Sequence, residues 1–430
     1  MKKKALVLAG GGTRGAYQNG ALRALRELGK DDWNIVTGTS IGALNGALAV
    51  QGDYDAMNDL WMNLTSDQII KGKFPADFRL ETLVNERNLL TSLFKNYVRD
   101  GGADISPLIT RIGKMFRPEA FFASEIDYGC VTVSMSTRKP VLVTKEMMRT
   151  HGKDWLASSA SAYPAFPVHK FEEGEFIDGG YYDNLPVDYA LQMGAEEVIA
   201  IDLHNQPLHP VYLDRPQITY IYPQAETKPF LDFSRETLQN YDTSGYNDVM
   251  KKYGRYGGVK YTFMRQYELP EWFDRFYLEL LKLETRIRNA TNINERFRSD
   301  SIVTDRLKAR QHKSVLSDKD IYYGFMDSLL EMIGADPYHV YSRQEAENMI
   351  LAAFAGTVDP DYVYFPALYP KDVLEYTRTL DQKGIVEKIL HHLFYPGHDI
   401  VPKNILLTVY PYEDAAAWFL MFMMKGLVNR

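Results

Sequence analysis

One cysteine, Cys130, in 430 residues excludes an internal disulfide framework and any zinc or iron–sulfur site built from several cysteines. Long apolar runs are missing too. The most apolar stretch, Ala415–Met424 between Asp414 and Lys425, is about half the ~20 residues that a membrane-spanning helix needs. Lys2, Lys3 and Lys4 precede apolar residues as in a signal peptide. The run Ala5–Ala9 then meets Gly10-Gly11-Gly12, so no h-region of about 7–15 residues forms. Positive charge is not in excess: 49 basic against 56 acidic residues leave −7, which argues against a general nucleic-acid binder. What is present is an ordinary globular balance, 45% hydrophobic and 24% charged, which excludes disorder over most of the chain. The length predicts two or three domains at about 150 residues each, with chain enough for a core that needs no staples. A soluble, reduced compartment is the expectation.

The first two hundred residues alternate strand and helix signals. Lys4–Ala9, Asn34–Thr39 and Val198–Asp202 are short apolar runs that read as buried parallel strands. Between them lie helical spacing in Tyr17, Ala21, Leu22, Leu25 and Leu28, stopped by Gly29, and a small-residue helix over Ile41–Val50. Tyr128–Met135 and Pro140–Thr144, joined by Ser136–Lys139, predict a hairpin. This order predicts an α/β sheet with helices on both faces. From about Pro270 helix signals dominate. Trp272, Phe273, Phe276, Tyr277, Leu280, Leu281 and Leu283 make one amphipathic stripe. Ser342-Arg343-Gln344-Glu345 fits a capping box ahead of Met349, Ile350 and Phe354. Gly254, Gly257 and Gly258 punctuate the region of the boundary, and the expected domains are residues 1–260 and 261–430.

Three segments carry chemistry. Gly10-Gly11-Gly12-Thr13-Arg14-Gly15 lies between a predicted strand and helix, where a glycine loop exposes amides to an anionic oxygen, whether phosphate or oxyanion. Gly10, Gly12 and Gly15 also satisfy the dinucleotide pattern G-x-G-x-x-G. That pattern wants an acidic residue at the end of the second strand, and Asp31 and Asp32 precede the strand. Gly38-Thr39-Ser40-Ile41-Gly42 is G-x-S-x-G at a strand-to-helix turn, the form of a nucleophile elbow. It arrives after a single βα unit, too early for an α/β-hydrolase, in which His204 would be the histidine candidate. Ile177-Asp178-Gly179-Gly180, leading to Asp183-Asn184-Leu185-Pro186, holds a carboxylate at a tight turn.

In this order, the three segments resemble the patatin-like phospholipase family. The resemblance rests on Gly10–Leu22, Gly38–Gly46 and Ala157–Pro186, with Asp104–Leu108 and Leu231–Ser234 less specific, and covers roughly residues 4–255. It implies a three-layer α/β sandwich with a mostly parallel central sheet, followed by a mainly helical C-terminal region. It also implies a Ser–Asp dyad, with Ser40 as nucleophile and Asp178 as the residue that activates it. Gly10, Gly11, Gly12 and Arg14 match the oxyanion loop. The implied reaction is hydrolysis of a fatty-acyl ester through an acyl-serine, of phospholipase A or lysophospholipase type, with no metal or organic cofactor. The expected partner is a lipid or lysolipid substrate, met by transient contact with a membrane surface, and not a nucleic acid; the expected location is cytoplasmic or peripheral to a membrane. Oligomeric state is not legible. Departures are Ala9, where plant members often carry an acidic residue, and a slightly longer Ser159–Pro164 segment.

Other features have plainer readings. Asp202 at a strand end reads as a turn residue, and adjacent His391 and His392 cannot share a helix face. Ala415–Met424 is apolar nearly all round, which favours a buried core helix over an interfacial one. A catalytically weak lipid- or nucleotide-binding module and a serine acyltransferase using coenzyme A remain the alternatives to a hydrolase.

Overall fold

The computed structural model describes residues 2–71, 103–228, 231–265, 268–290, 302–359, 376–396 and 409–428. The chain divides into two compact units, Met1–Tyr253 and Gly254–Arg430.

The first unit is built on an eight-stranded sheet. Its strands are β1 (Lys4–Leu8), β2 (Ile35–Thr39), β3 (Asp127–Ser134), β4 (Pro140–Thr144), β5 (His169–Phe171), β6 (Gly174–Asp178), β7 (Glu197–Ile201) and β8 (Ile218–Ile221). They lie in the order β5-β6-β3-β2-β1-β7-β8, with β4 paired to β3. β3, β2, β1, β7 and β8 run parallel to one another, while β4 and β6 run antiparallel to β3, and β5 to β6. β1 and β2 have sheet on both sides and helices on both faces, which is why they read as unbroken apolar runs rather than as alternation.

Helices cover both faces. They are α1 (Gly15–Glu27), α2 (Ile41–Gln51), α3 (Tyr54–Asn63), α4 (Ser106–Met115), α5 (Pro118–Ala123), α6 (Met148–Ser159), α7 (Val187–Gln192) and α8 (Arg235–Lys252). Successive residues of β3 point to opposite faces. Tyr128 packs beside Gly46 of α2 and donates to the Ala43 carbonyl, whereas a side chain at Gly129 would strike Tyr189 of α7. The unit is therefore a three-layer sandwich.

One register detail positions the site. β4 pairs with β3 along Gly129–Val133 and so occupies one edge of it. β2 follows the other edge only as far as Thr39 opposite Val131. From Thr132 opposite Asp178 onward that same edge belongs to β6. The ends of β2 and β6 therefore abut along one strand, and Thr39 and Asp178, 139 positions apart in the chain, become neighbours.

The second unit is mainly helical, with a three-stranded sheet of β9 (Tyr256–Gly257), β10 (Thr262–Met264) and β11 (Val340–Tyr341). Its helices are α9 (Trp272–Ala290), α10 (Ile302–Gln311), α11 (Asp318–Met332), α12 (Arg343–Phe354), α13 (Gln382–Phe394) and α14 (Pro411–Val428). α14 is the core helix expected of Ala415–Met424: Ala415, Phe419, Leu420 and Met423 are fully buried, and it packs on α9 through α13. Phe419 meets Phe276 edge-on and stacks on Phe325. Among the described residues, no helix is long and apolar enough to cross a membrane.

Two expected core positions turn outward. Phe273, Phe276, Leu280 and Leu283 follow three- and four-residue steps into the core, but Leu281 lies about 100° off that line and is 49% exposed. Met349, beside buried Ile350, is exposed for the same reason. The capping box at Ser342 forms as expected: its hydroxyl accepts from the Glu345 amide, and the Glu345 carboxylate accepts from the Ser342 amide.

Candidate active site

Ser40 sits between β2 and α2 with φ 56° and ψ −126°. A non-glycine residue in this region costs of order 1–3 kcal/mol and must be held there by its surroundings. The flanking glycines allow the turn. A Cβ on Gly38 would lie 2.4 Å from the Gly42 carbonyl oxygen, and one on Gly42 would lie 2.2 Å from the Leu8 oxygen. Strand, elbow and helix start are thus pressed together with no room for side chains. Hydrogen bonds complete the clamp. The Ser40 amide donates to Ser159 Oγ (2.9 Å), and the Ser159 hydroxyl donates to the Val131 carbonyl (2.7 Å). Ser159 therefore ties the elbow to β3. Sequence reading did not single it out, although it lies within the small-residue segment Ala157–Ala160.

Asp178 ends β6 at the place where β2 gives out. Its Oδ1 accepts from the Gly180 amide (2.8 Å), and its own amide donates to the Ser161 carbonyl (2.9 Å). Both glycines of Asp-Gly-Gly have a steric cause. A Cβ on Gly179 would lie 2.1 Å from the Val131 oxygen, and one on Gly180 would lie 2.9 Å from Asn184 Oδ1. Burial lifts the Asp178 carboxyl to about 6, and hydrogen bonds from the Ser40 hydroxyl and the Gly180 amide oppose that rise. The Ser40 hydroxyl lies within electrostatic reach of the Asp178 carboxyl.

The glycine loop follows β1. Gly10 packs against the elbow so closely that a Cβ there would lie 2.9 Å from Ser40 Cβ and 2.4 Å from Asn184 Oδ1. Its amide donates to the Asn184 carbonyl (3.0 Å), and its carbonyl accepts from Asn184 Nδ2 (3.1 Å). The Arg14 amide donates to the Gly11 carbonyl (3.2 Å). Of the four loop residues expected to act, Gly11 and Gly12 keep amides with no recorded acceptor among the described residues. The Arg14 side chain is buried. Its Nε and Nη2 both donate to the Lys228 carbonyl (3.2 and 3.1 Å), so it fastens the loop to the segment ahead of α8 and is no surface arginine. The N-terminus of α2 adds a favourable potential for negative charge at Ser40.

His204 stands apart from this chemistry. Its Nδ1 pairs with Asp202 Oδ1 (2.9 Å), and it makes no recorded hydrogen bond to Ser40. Asp202 accepts from the amides of Leu203, His204 and Leu208 and from the Tyr220 hydroxyl, the turn role expected of it. The dinucleotide reading loses its acidic partner as well, because the Asp32 carboxylate pairs with Lys4.

A small apolar cleft opens beside Ser40 and Gly12, walled by Ile41, Leu44, Trp61 and Leu108, with Leu231 and Phe233 among its other residues. Leu44, Trp61, Leu64 and Leu108 also line a second small apolar space, which reaches Met115. The two spaces share walls, so apolar surface leads from the serine into the unit.

A strained serine turn, a buried aspartate and a glycine loop thus come together at one end of a mostly parallel sheet, and among the described residues no histidine has a recorded hydrogen bond to Ser40 or Asp178. Residues 6–191 match the family described as patatin-like phospholipase. The chain is 34% identical over 210 residues to patatin-like phospholipase domain-containing protein 7 of Mus musculus, covering 47% of this chain and 14% of that protein. It is 29% identical over 209 residues to lysophospholipase NTE1 of Chaetomium globosum, covering 47% of this chain and 12% of that protein. The matched stretch thus spans about one-seventh of those relatives or less. The crystal structure of VipD from Legionella pneumophila aligns over 98% of this chain and 90% of its own, at 14% identity and a TM-score of 0.35.

Proposed function

We propose that this protein hydrolyses fatty-acyl esters of phospholipids or lysophospholipids through an acyl-enzyme on Ser40. The observation that carries the reading is that β2 and β6 meet on one edge of β3, which brings Ser40 beside a buried carboxylate whose proton affinity is raised to about 6. An exposed aspartate, with an ordinary value of about 3.9, is too weak a base for a serine hydroxyl. Burial brings Asp178 nearer to neutral pH while leaving it ionised above about 6, which suits general-base work. In this reading Ser40 Oγ attacks the ester carbonyl as Asp178 takes its proton. The carbonyl oxygen becomes an oxyanion opposite the Gly11 and Gly12 amides, each worth roughly 3 kcal/mol to the transition state. Collapse of the tetrahedral adduct breaks the acyl–oxygen bond, and Asp178 returns the proton to the departing alcohol. Water, deprotonated by the same carboxylate, then attacks the acyl-serine, and the bond to Ser40 Oγ breaks as Asp178 returns that proton to the serine oxygen and the fatty acid leaves. The apolar cleft beside Ser40 suits an acyl chain, and the names of the similar proteins point to the same substrate class.

The test is fatty-acid release from mixed phospholipid and lysophospholipid vesicles. Wild type should release fatty acid, and folded Ser40→Ala should release less by roughly 10³-fold or more. Formation of an acyl-serine that turns over only when an alcohol or thiol acceptor is added would mark a transferase instead. Lipid binding with no acyl-serine at all would mark a binding module.

A further inference from the structure

The glycine loop is held at Gly10 by Asn184 and at Arg14 by the Lys228 carbonyl, and a further set of bonds braces its two flanks. Gly10, Gly11 and Gly12 carry no side chains, and oxyanion stabilisation needs donors fixed within about 0.5 Å. The structure assigns that task to a buried amide chain. Gln18 on α1 and Asn45 on α2 are both fully buried, where an amide without partners is costly. Gln18 Nε2 donates to the Ala9 carbonyl (2.8 Å), immediately before the loop. Asn45 Nδ2 donates to the Gly15 carbonyl (3.2 Å), immediately after it, and to Gln18 Oε1 (2.8 Å). The two ends of the loop are thereby joined to each other and to the helix that begins at Ser40.

The direction of every bond in this chain is set by one residue. Trp61 Nε1 donates to Asn45 Oδ1 (3.1 Å), and an indole N–H can only donate. The atom of Asn45 that faces Trp61 must therefore be the oxygen, which turns Nδ2 toward Gln18 and Gly15. The atom of Gln18 that meets this donor must then be Oε1, which turns its NH₂ toward Ala9. Trp61 also walls the cleft beside Ser40, and a Cβ on Gly15 would lie 2.5 Å from its ring. A single indole thus borders the acyl space and orients the amides behind the loop.

We propose that Gln18 and Asn45, oriented by Trp61, are positioning residues that set the Gly11 and Gly12 amides for the developing oxyanion. The proposal rests on the acyl-hydrolase reading. It is tested with full-length Gln18→Leu and Trp61→Phe, measuring kcat and KM on a lysophospholipid. Affinities are measured in parallel for a fatty trifluoromethyl ketone, which adds Ser40 to become an oxyanion, and for the matching methyl ketone, which does not. Gln18→Leu should lower kcat about 10²-fold and weaken the trifluoromethyl ketone in step, with KM and methyl ketone affinity little changed. Trp61→Phe loses the directing donor and trims the cleft wall, so both ketones should weaken, the trifluoromethyl ketone by the larger factor. A merely structural role would lower the melting temperature while leaving the ratio of the two ketone affinities as in wild type, and that result overturns the proposal. If Gln18→Leu does not fold, Trp61→Phe decides by the same ratio. Turnover that survives Ser40→Ala overturns both readings. Turnover lost in Ser40→Ala but intact in Gln18→Leu overturns this one alone.

Discussion

Asp178→Asn should abolish turnover and make the protein more stable. Asparagine is isosteric and can still accept from Gly180 and Ser40, but it cannot take the serine proton, so a loss of roughly 10³- to 10⁴-fold is expected. The stability effect follows from burial. The folded-state value of about 6 lies above the ordinary carboxylate value, so the folded protein holds this proton more tightly than the unfolded chain does. The site therefore adds no penalty at pH values below the unfolded one. The penalty grows as pH rises toward 6 and is complete above it. The rise from the ordinary carboxylate value to about 6 corresponds to ~3 kcal/mol, which Asp178→Asn should recover at pH 7 and not at pH 4. Activity runs the other way, because the base must be ionised. In wild type kcat/KM should rise through a midpoint near pH 6 and level off above it. Urea unfolding of wild type and variant at the two pH values, with a pH–rate profile, measures both. A variant less stable than wild type at pH 7 would contradict the burial account.

The second large effect is expected far from Ser40. α1 and α8 cross so closely that a Cβ on Gly20 would lie 1.8 Å from the Asp242 carbonyl oxygen, and one on Gly245 would lie 1.9 Å from that of Tyr17. These are backbone atoms, so no rotamer change relieves the clash. Buried polar bonds depend on the same approach: Asn19 Nδ2 to Asp242 Oδ1 (2.7 Å) and the Tyr17 hydroxyl to Asp248 Oδ2 (2.9 Å). Gly20→Leu should separate the helices and cost more than about 3 kcal/mol, at or beyond the usual range for overpacking. Because α1 begins at the oxyanion loop and carries Gln18, activity should fall with it. Hydrogen exchange at the α1 and α8 amides reports the loss locally, which suits a chain of two units better than a single melting curve. Gly113→Ala is the contrasting case. That glycine is an exposed position on the outer side of α4 with open space around it, so the variant should gain about 0.5–1 kcal/mol.

How much of this was legible in the sequence depends on the distance over which each feature is determined. Ser40 and the glycine loop are local devices: the turn is made by Gly38 and Gly42 within a few residues, so spacing reveals it. The central strands were legible because parallel strands buried on both faces become continuous apolar runs. Pairing Ser40 with Asp178 needed the family resemblance, since contact depends on β2 and β6 sharing one edge of β3. Ser159, Asn184, Gln18 and Asn45 were not singled out for a related reason. Each is a polar residue whose partner is a distant carbonyl or amide, and no periodicity encodes that. Gly10 and Arg14 belong to the loop motif, but the direction of their amides is set by Asn184 and Gly11, which only coordinates disclose. Leu281 and Met349 look apolar enough for the core; one helical step turns each outward.

The most direct test of the central claim is to trap the covalent intermediate. Enzyme mixed with a long-chain p-nitrophenyl ester and quenched in acid within the first turnover should gain one acyl group by intact mass, and peptide mapping should place it on Ser40. Ser40→Ala should gain none. An acyl group on another residue, or ester turnover that persists in folded Ser40→Ala, would contradict a mechanism built on this serine.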